Sequence, residues 1–160
     1  KNKNTKSLRA TQNYFNETKT LKSIEIKEFS FLYIILNNPE LIKDNLELIE
    51  NVKLFSTENK IVYKEILNQT KNFNKTDINN LKIDQNLLER IFKYASIKHI
   101  LTDKIKDEQK ILDILKEIIE DLKIYDLENR IAELESKFSK DLSESTFNEL
   151  KELKKLQKIN

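Results

Sequence analysis

The sequence predicts an all-α fold: an N-terminal helical bundle followed by a C-terminal helical hairpin, the two joined through a long helix. Three observations predict it. The 160 residues include no Gly and one Pro, where average usage would supply about 11 Gly. Without Gly, turns that need positive φ and Gly-rich phosphate loops are nearly excluded. Apolar residues recur at three- and four-residue spacing through most of the chain, the period of one helix face. Near the C-terminus two heptad-like apolar series run out of phase with each other.

Residues 1–22 (KNKNTKSLRATQNYFNETKTLK) are polar with scattered apolar positions and no sustained period, and read as a linker or arm. Leu8, Tyr14 and Phe15 allow one short helix there. From Ser23 the pattern changes. Ile24, Phe31, Leu32, Ile35 and Leu36 predict a helix over about 24–37, its apolar face broadened by Phe29 and Ile34. LYIILNNPELI then reads as helix end, tight turn and helix start. Pro39 fits the first helical position and keeps Asn38 out of the α region. The Asn38 side chain is the expected N-cap of the second helix, which carries Leu41, Ile42, Leu46 and Ile49.

After VKLFSTENK, Ser56 or Thr57 is expected to cap a third helix with Ile61, Val62, Ile66 and Leu67. TDINNLKID is a short turn or loop. Asp84 should cap a helix bearing Leu87, Leu88, Ile91, Phe92 and Ala95.

From Thr102 to about Ser139 there is neither Pro nor Gly. Apolar residues fall at 105, 112, 115, 119 and 122, then at 124, 127, 131, 134 and 138. The step of two between 122 and 124 turns the stripe to another face near Tyr125. Either one helix serves two cores or it breaks there. A continuous helix over this span would be about 57 Å long, against a radius of gyration of roughly 15 Å for a compact chain of this size. Its second half should therefore project. KDLSESTF supplies a turn, with Ser143 or Ser145 as cap, and a last helix carries Phe147, Leu150, Leu153, Leu156 and Ile159. Folding that helix back as an αα-hairpin is the simplest way to cover the projecting stripe.

The composition narrows function. Cys is absent, which removes thiolate chemistry and disulfides and fits a reducing compartment. Met is absent even at position 1, so the chain is expected to be a piece of a longer protein. The Lys, Asn and Ile bias is that of an AT-rich genome. No apolar run approaches a membrane span. With 29 basic against 27 acidic side chains the net charge is +2, no footprint for direct nucleic-acid binding.

This arrangement resembles the C-terminal helicase-binding domain of bacterial DNA primase (DnaG). In that family the first helix ends in an Asn-Pro-Glu-Leu turn, as in LYIILNNPELI. A phenylalanine-containing loop enters the third helix, as in KLFSTENKIVYKEIL. A long helix and a return helix close the chain, as in LENRIAELESKF and STFNELKELKKLQKIN. The resemblance spans about 24–160. It implies a non-catalytic module of a primase, with residues 23–122 a bundle subdomain that stimulates the helicase. Residues 123–160 would be a hairpin subdomain that docks on the N-terminal domains of the replicative hexameric (DnaB-type) helicase. It implies a cytoplasmic bacterial protein at the replication fork, monomeric on its own, with no cofactor, no metal and no catalytic residue. The enzymatic domains of primase would lie upstream. In some members the first helix also offers a basic groove to the acidic tail of single-stranded DNA-binding protein. That tail is a candidate partner here, although Glu25 and Glu28 beside Lys27 depart from a basic groove.

His99 stands alone, without the partners that a metal site or a triad needs. Glu117, Glu120 and Asp121 sit among lysines as on a solvated helix face. The stripe of Phe147, Leu150, Leu153, Leu156 and Ile159 is either the hairpin's own core or partly a helicase-binding surface. A three-residue step drifts around a helix, so not all five can face Leu127, Ile131 and Leu134. Leu153, Leu156 and Ile159 are the part expected to face the partner. Lys154, Lys155 and Lys158, with Lys151, form a rim for an acidic patch or simply favour the helix C-terminus. Leu122, Lys123, Ile124 and Tyr125 mark a candidate hinge, with Tyr125 preferred as a core plug. The rivals are the N-terminal domain of the helicase itself, which should self-associate, and a generic helical scaffold or coiled-coil dimer.

Overall fold

The computed structural model describes residues 21–73, 82–101 and 107–159, the side chains of Asn72, Phe73, His99 and Ile159 excepted. The proposed arm with Leu8, Tyr14 and Phe15, most of TDINNLKID, and Ile105 lie outside the described residues. All regular structure among the described residues is helical. In chain order the helices are α1 (Ser23–Asn37), α2 (Pro39–Asp44), α3 (Leu46–Glu50), α4 (Thr57–Phe73), α5 (Gln85–Tyr94), a 3-10 turn (Ser96–His99), α6 (Glu108–Phe138) and α7 (Glu144–Ile159).

Helix α1 is the axis of the larger core. Ile24, Phe29, Phe31, Leu32, Ile34, Ile35 and Leu36 are all buried, so almost its whole circumference is covered. A helix apolar on every side belongs in the middle of a bundle. It packs against α4, α5, the 3-10 turn and the first half of α6. Aromatic edges join these helices: Phe31 meets Tyr63 of α4 at 5.7 Å between ring centroids, and Tyr33 meets Phe92 of α5 at 5.4 Å. Ser30 and Ser96 satisfy each other's hydroxyls at 3.1 Å where α1 crosses the 3-10 turn.

The Asn-Asn-Pro corner forms as expected, with Pro39 opening α2, but Asn38 acts on the other side of it. Its side-chain Nδ2 donates to the Ile34 carbonyl at 2.9 Å, and its backbone N–H donates to the same carbonyl. Asn38 therefore ends α1 and gives α2 no side-chain cap. The same device recurs. Asn37 donates to the Tyr33 carbonyl, Asn45 to Leu41 and Asn51 to Glu47, each four residues back. Helix ends commonly rely on a left-handed Gly to satisfy their last carbonyls. In this Gly-free chain the asparagine amide supplies the donor instead. Asn45 also divides the single helix expected after Pro39 into α2 and α3.

Two further expectations change. Val62 and Ile66 of α4 are buried, but Ile61 is exposed, on the far side of the helix. The long helix begins at Glu108, where the Asp107 side chain accepts from the Gln109 N–H, and Ile111 rather than Leu112 is its first buried residue. Asp84 caps α5 by accepting from the Asn86 N–H at 2.7 Å.

The 31 residues of α6 run without interruption through Tyr125. Ile111, Leu115, Ile119 and Leu122 face the bundle. Beyond the two-residue step, Ile131 and Leu134 face Leu150 and Leu153 of α7 in a second, separate cluster that Leu127 borders. One continuous helix thus serves two cores. Ser143 caps α7, its hydroxyl accepting from the Thr146 N–H at 3.3 Å. Arg130–Glu149 and Lys154–Glu135 ion pairs cross the hairpin.

Candidate partner-docking site

The apolar stripe of α7 divides by simple geometry. Each three-residue step falls about 60° short of a full turn. Leu150 and Leu153 occupy the middle of the arc and are 8% exposed, facing α6. Phe147 and Leu156 lie about 90° to either side of that middle, and are 47% and 53% exposed. Leu153 is therefore a seam residue of the hairpin rather than part of its outer surface. The side chain of Ile159 lies outside the described residues.

The two exposed flanks have different surroundings. Phe147, Leu150, Lys151, Lys154, Lys155 and Lys158 line one groove of about 450 Å³. Their spacing of 3, 4, 7, 8 and 11 residues from Phe147 places them on one helix face. Phe147 forms the apolar floor at one end, its ring set against Phe138 at 5.7 Å, which fixes it where the chain turns. The lysine stems extend the apolar wall while their ammonium groups rim it. Lys154 reaches Glu135 and Lys155 reaches Glu152, both at 2.6 Å. The Lys155 hydrogen bond and charge, aided by Lys151, hold the Glu152 carboxyl below the usual carboxylate range. Lys151 and Lys158 form no salt bridge among the described residues, which leaves two ammonium groups for an outside anion.

Leu156 sits on the opposite flank, beside the side of α7 that carries Glu149 and Glu152. Among the described residues, Phe147 and Leu156 thus lie in two separate patches of α7, and the four lysines surround the first. Sequence reasoning joined them because the three-residue repeat runs through both. The wheel angle of each residue was the signal that separates them.

The junction of the two cores is built from a loop. Tyr125 packs its ring edge-on against Phe55, with centroids 4.8 Å apart, so it plugs the end of the bundle. Lys53 pairs with Asp126 and Lys27 with Asp121, both onto the same stretch of α6. Beneath the loop lies a residue that the sequence pattern did not single out as structural. Glu28, fully buried on α1, accepts from the backbone N–H groups of Phe55 and Ser56 and from Asn59 Nδ2.

Of the three carboxylates Glu117, Glu120 and Asp121, Asp121 pairs with Lys27 and Glu120 with Lys123 at 3.3 Å, while Glu117 is exposed. Among the described residues no cluster of three or more His, Cys, Asp or Glu is placed to hold a metal ion, and no helix is long and apolar enough to cross a membrane. No protein-family model, curated protein or solved structure matches this chain.

Proposed function

We propose that this chain is a non-catalytic docking module of the bacterial replisome, comparable to the helicase-binding domain of primase. It would bind the N-terminal domains of a replicative hexameric helicase and so hold a primase at the fork in the cytoplasm. The observation that supports this most is the groove on α7. A half-exposed phenylalanine with four lysines around it, on a two-helix unit with its own small core, has the make-up of a partner surface. Interfaces of this kind draw affinity from a few buried aromatic or aliphatic anchors and orientation from a charged rim. In this reading Phe147 is the anchor and Lys151, Lys154, Lys155 and Lys158 are the rim. The bundle carries the hairpin and modulates the helicase through it.

The test is a calorimetric titration of the full chain against the N-terminal domain of a replicative helicase from the same source. The wild type should bind. A Phe147→Ala/Lys158→Glu variant should bind at least tenfold more weakly while keeping its helical circular dichroism. Absence of binding by the wild type, with a dimer in the ultracentrifuge, would favour the scaffold reading.

A further inference from the structure

Between Leu122, the last buried α6 residue of the bundle core, and Leu127, the first to touch the hairpin core, only Tyr125 packs on a core, at the edge of the bundle. A helix at such a position is held from the side only by what reaches it. Here that is the loop 52–56. Val52 and Leu54 are buried and root the loop in the bundle. Phe55, at the edge of the bundle core, contacts Tyr125, and Lys53 pairs with Asp126. Glu28 fixes the loop backbone from below through Phe55 N–H and Ser56 N–H.

The hold is narrow. Open clefts flank it on both sides. One of about 200 Å³ lies against Lys22, Ile24, Glu25, Phe55 and Tyr125. Another of about 210 Å³ lies against Val52, Lys53, Leu122, Lys123 and Asp126. One aromatic edge contact and one partly exposed ion pair therefore span the gap between two spaces into which the side chains could move.

We propose that loop 52–56 is a releasable strap on α6. With Phe55 and Lys53 engaged, the hairpin direction is fixed relative to the bundle. With them released, α6 bends at 123–126 and the hairpin swings while both cores stay intact. The inference does not depend on which partner the hairpin binds.

Because the chain contains no native Cys, spin labels can be placed at Lys64→Cys on α4 and Lys140→Cys at the hairpin turn, both exposed. Electron–electron resonance on the full chain should give one narrow distance distribution. Lys53→Ala/Phe55→Ala should raise the population away from the main distance at least threefold. Lys53→Ala/Asp126→Asn removes only the ion pair, leaves the core side chains untouched, and should give a smaller rise in the same direction. Unchanged distributions in both variants would overturn the proposal. So would broadening accompanied by lost amide protection in α1, since the bundle would then have unfolded rather than unstrapped.

Discussion

Glu28 accepts a hydrogen bond from Asn59 Nδ2 at 2.7 Å inside the core, joining the middle of α1 to the first turn of α4. The same carboxylate takes the backbone N–H groups of Phe55 and Ser56. It thereby anchors the residues that lead into α4, including the backbone N–H of its cap residue Ser56, from a distant part of the chain. Ser56, the local cap, is left with a long 3.5 Å contact to the Asn59 N–H. A buried carboxylate is tolerable only when its oxygens are occupied in this way.

Glu28→Ala should therefore be among the most damaging single substitutions. It would leave two backbone donors and an amide without partners, each lost bond to a buried donor costing about 1–3 kcal/mol. We expect a loss of roughly 2–4 kcal/mol in urea unfolding, allowing for partial relaxation. Glu28→Gln keeps one acceptor oxygen and should cost less. Asn59→Ala should couple non-additively to Glu28→Ala in a double-mutant cycle. Asn59 Oδ1 is itself buried without a partner among the described residues, so its loss offsets part of the damage.

Tyr63 sets an alkaline limit. Burial pushes its phenol from about 10 up to about 12, and its hydroxyl donates to the Ile49 carbonyl. Below pH 10 the phenol is protonated in folded and unfolded chains alike, and its contribution is fully present. Between about pH 10 and 12 the unfolded chain loses the proton first, so stability falls as pH rises through that window. Denaturation followed across pH 9–12 should show the decline, and Tyr63→Phe should flatten it. At neutral pH the same variant should lose about 1 kcal/mol, the worth of one hydrogen bond.

The hairpin should open without the bundle. Among the described residues its buried set is Ile131, Leu134, Leu150 and Leu153. Truncating one such leucine typically costs about 2 kcal/mol or more, or roughly 30-fold in an opening equilibrium. Leu134→Ala should accelerate amide exchange in α7 by at least that factor while α1 stays protected. Equal acceleration in both would contradict the separation of the cores.

The two flanks of α7 should differ in binding. If the proposed helicase reading holds, Phe147→Ala should weaken that binding tenfold or more, and Leu156→Ala should leave it within about twofold, since only the first belongs to the lysine groove. Added salt should weaken the wild-type complex, because the rim lysines are solvent-exposed. The reverse ranking of the two variants would move the interface to the acidic flank.

Much of the fold was legible in the sequence because local signals agreed with one another. Pro39, Asp84 and Ser143 each mark a helix start through their own backbone chemistry. The two-residue step from Leu122 to Ile124 announced that α6 changes partners. What stayed hidden depends on long-range pairing. Glu28 looks like a solvated charge until α4 and its preceding loop are brought to it. Ile61 fits an apolar pattern yet faces outward, because Val62 and Ile66 already fill the side toward α1. The α7 stripe reads as one surface in sequence and is two in space. Of the candidate site, the lysine rim and Phe147 could be chosen from sequence, but the burial of Leu153 required knowing where α6 lies.

The continuity of α6 has a consequence for how such a chain can diverge. Among the described residues the helix that joins the bundle core to the hairpin core passes through a stretch, 123–126, whose one core contact is Tyr125 at the edge of the bundle. One residue inserted between 123 and 126 would leave both buried sets intact, provided the strap gives way. It would turn the hairpin by about 100° around the helix axis and advance it by about 1.5 Å. The lysine groove would then face a different direction with its own chemistry unchanged. In this architecture the direction in which the α7 groove faces is set by register, and a single codon is enough to reset it.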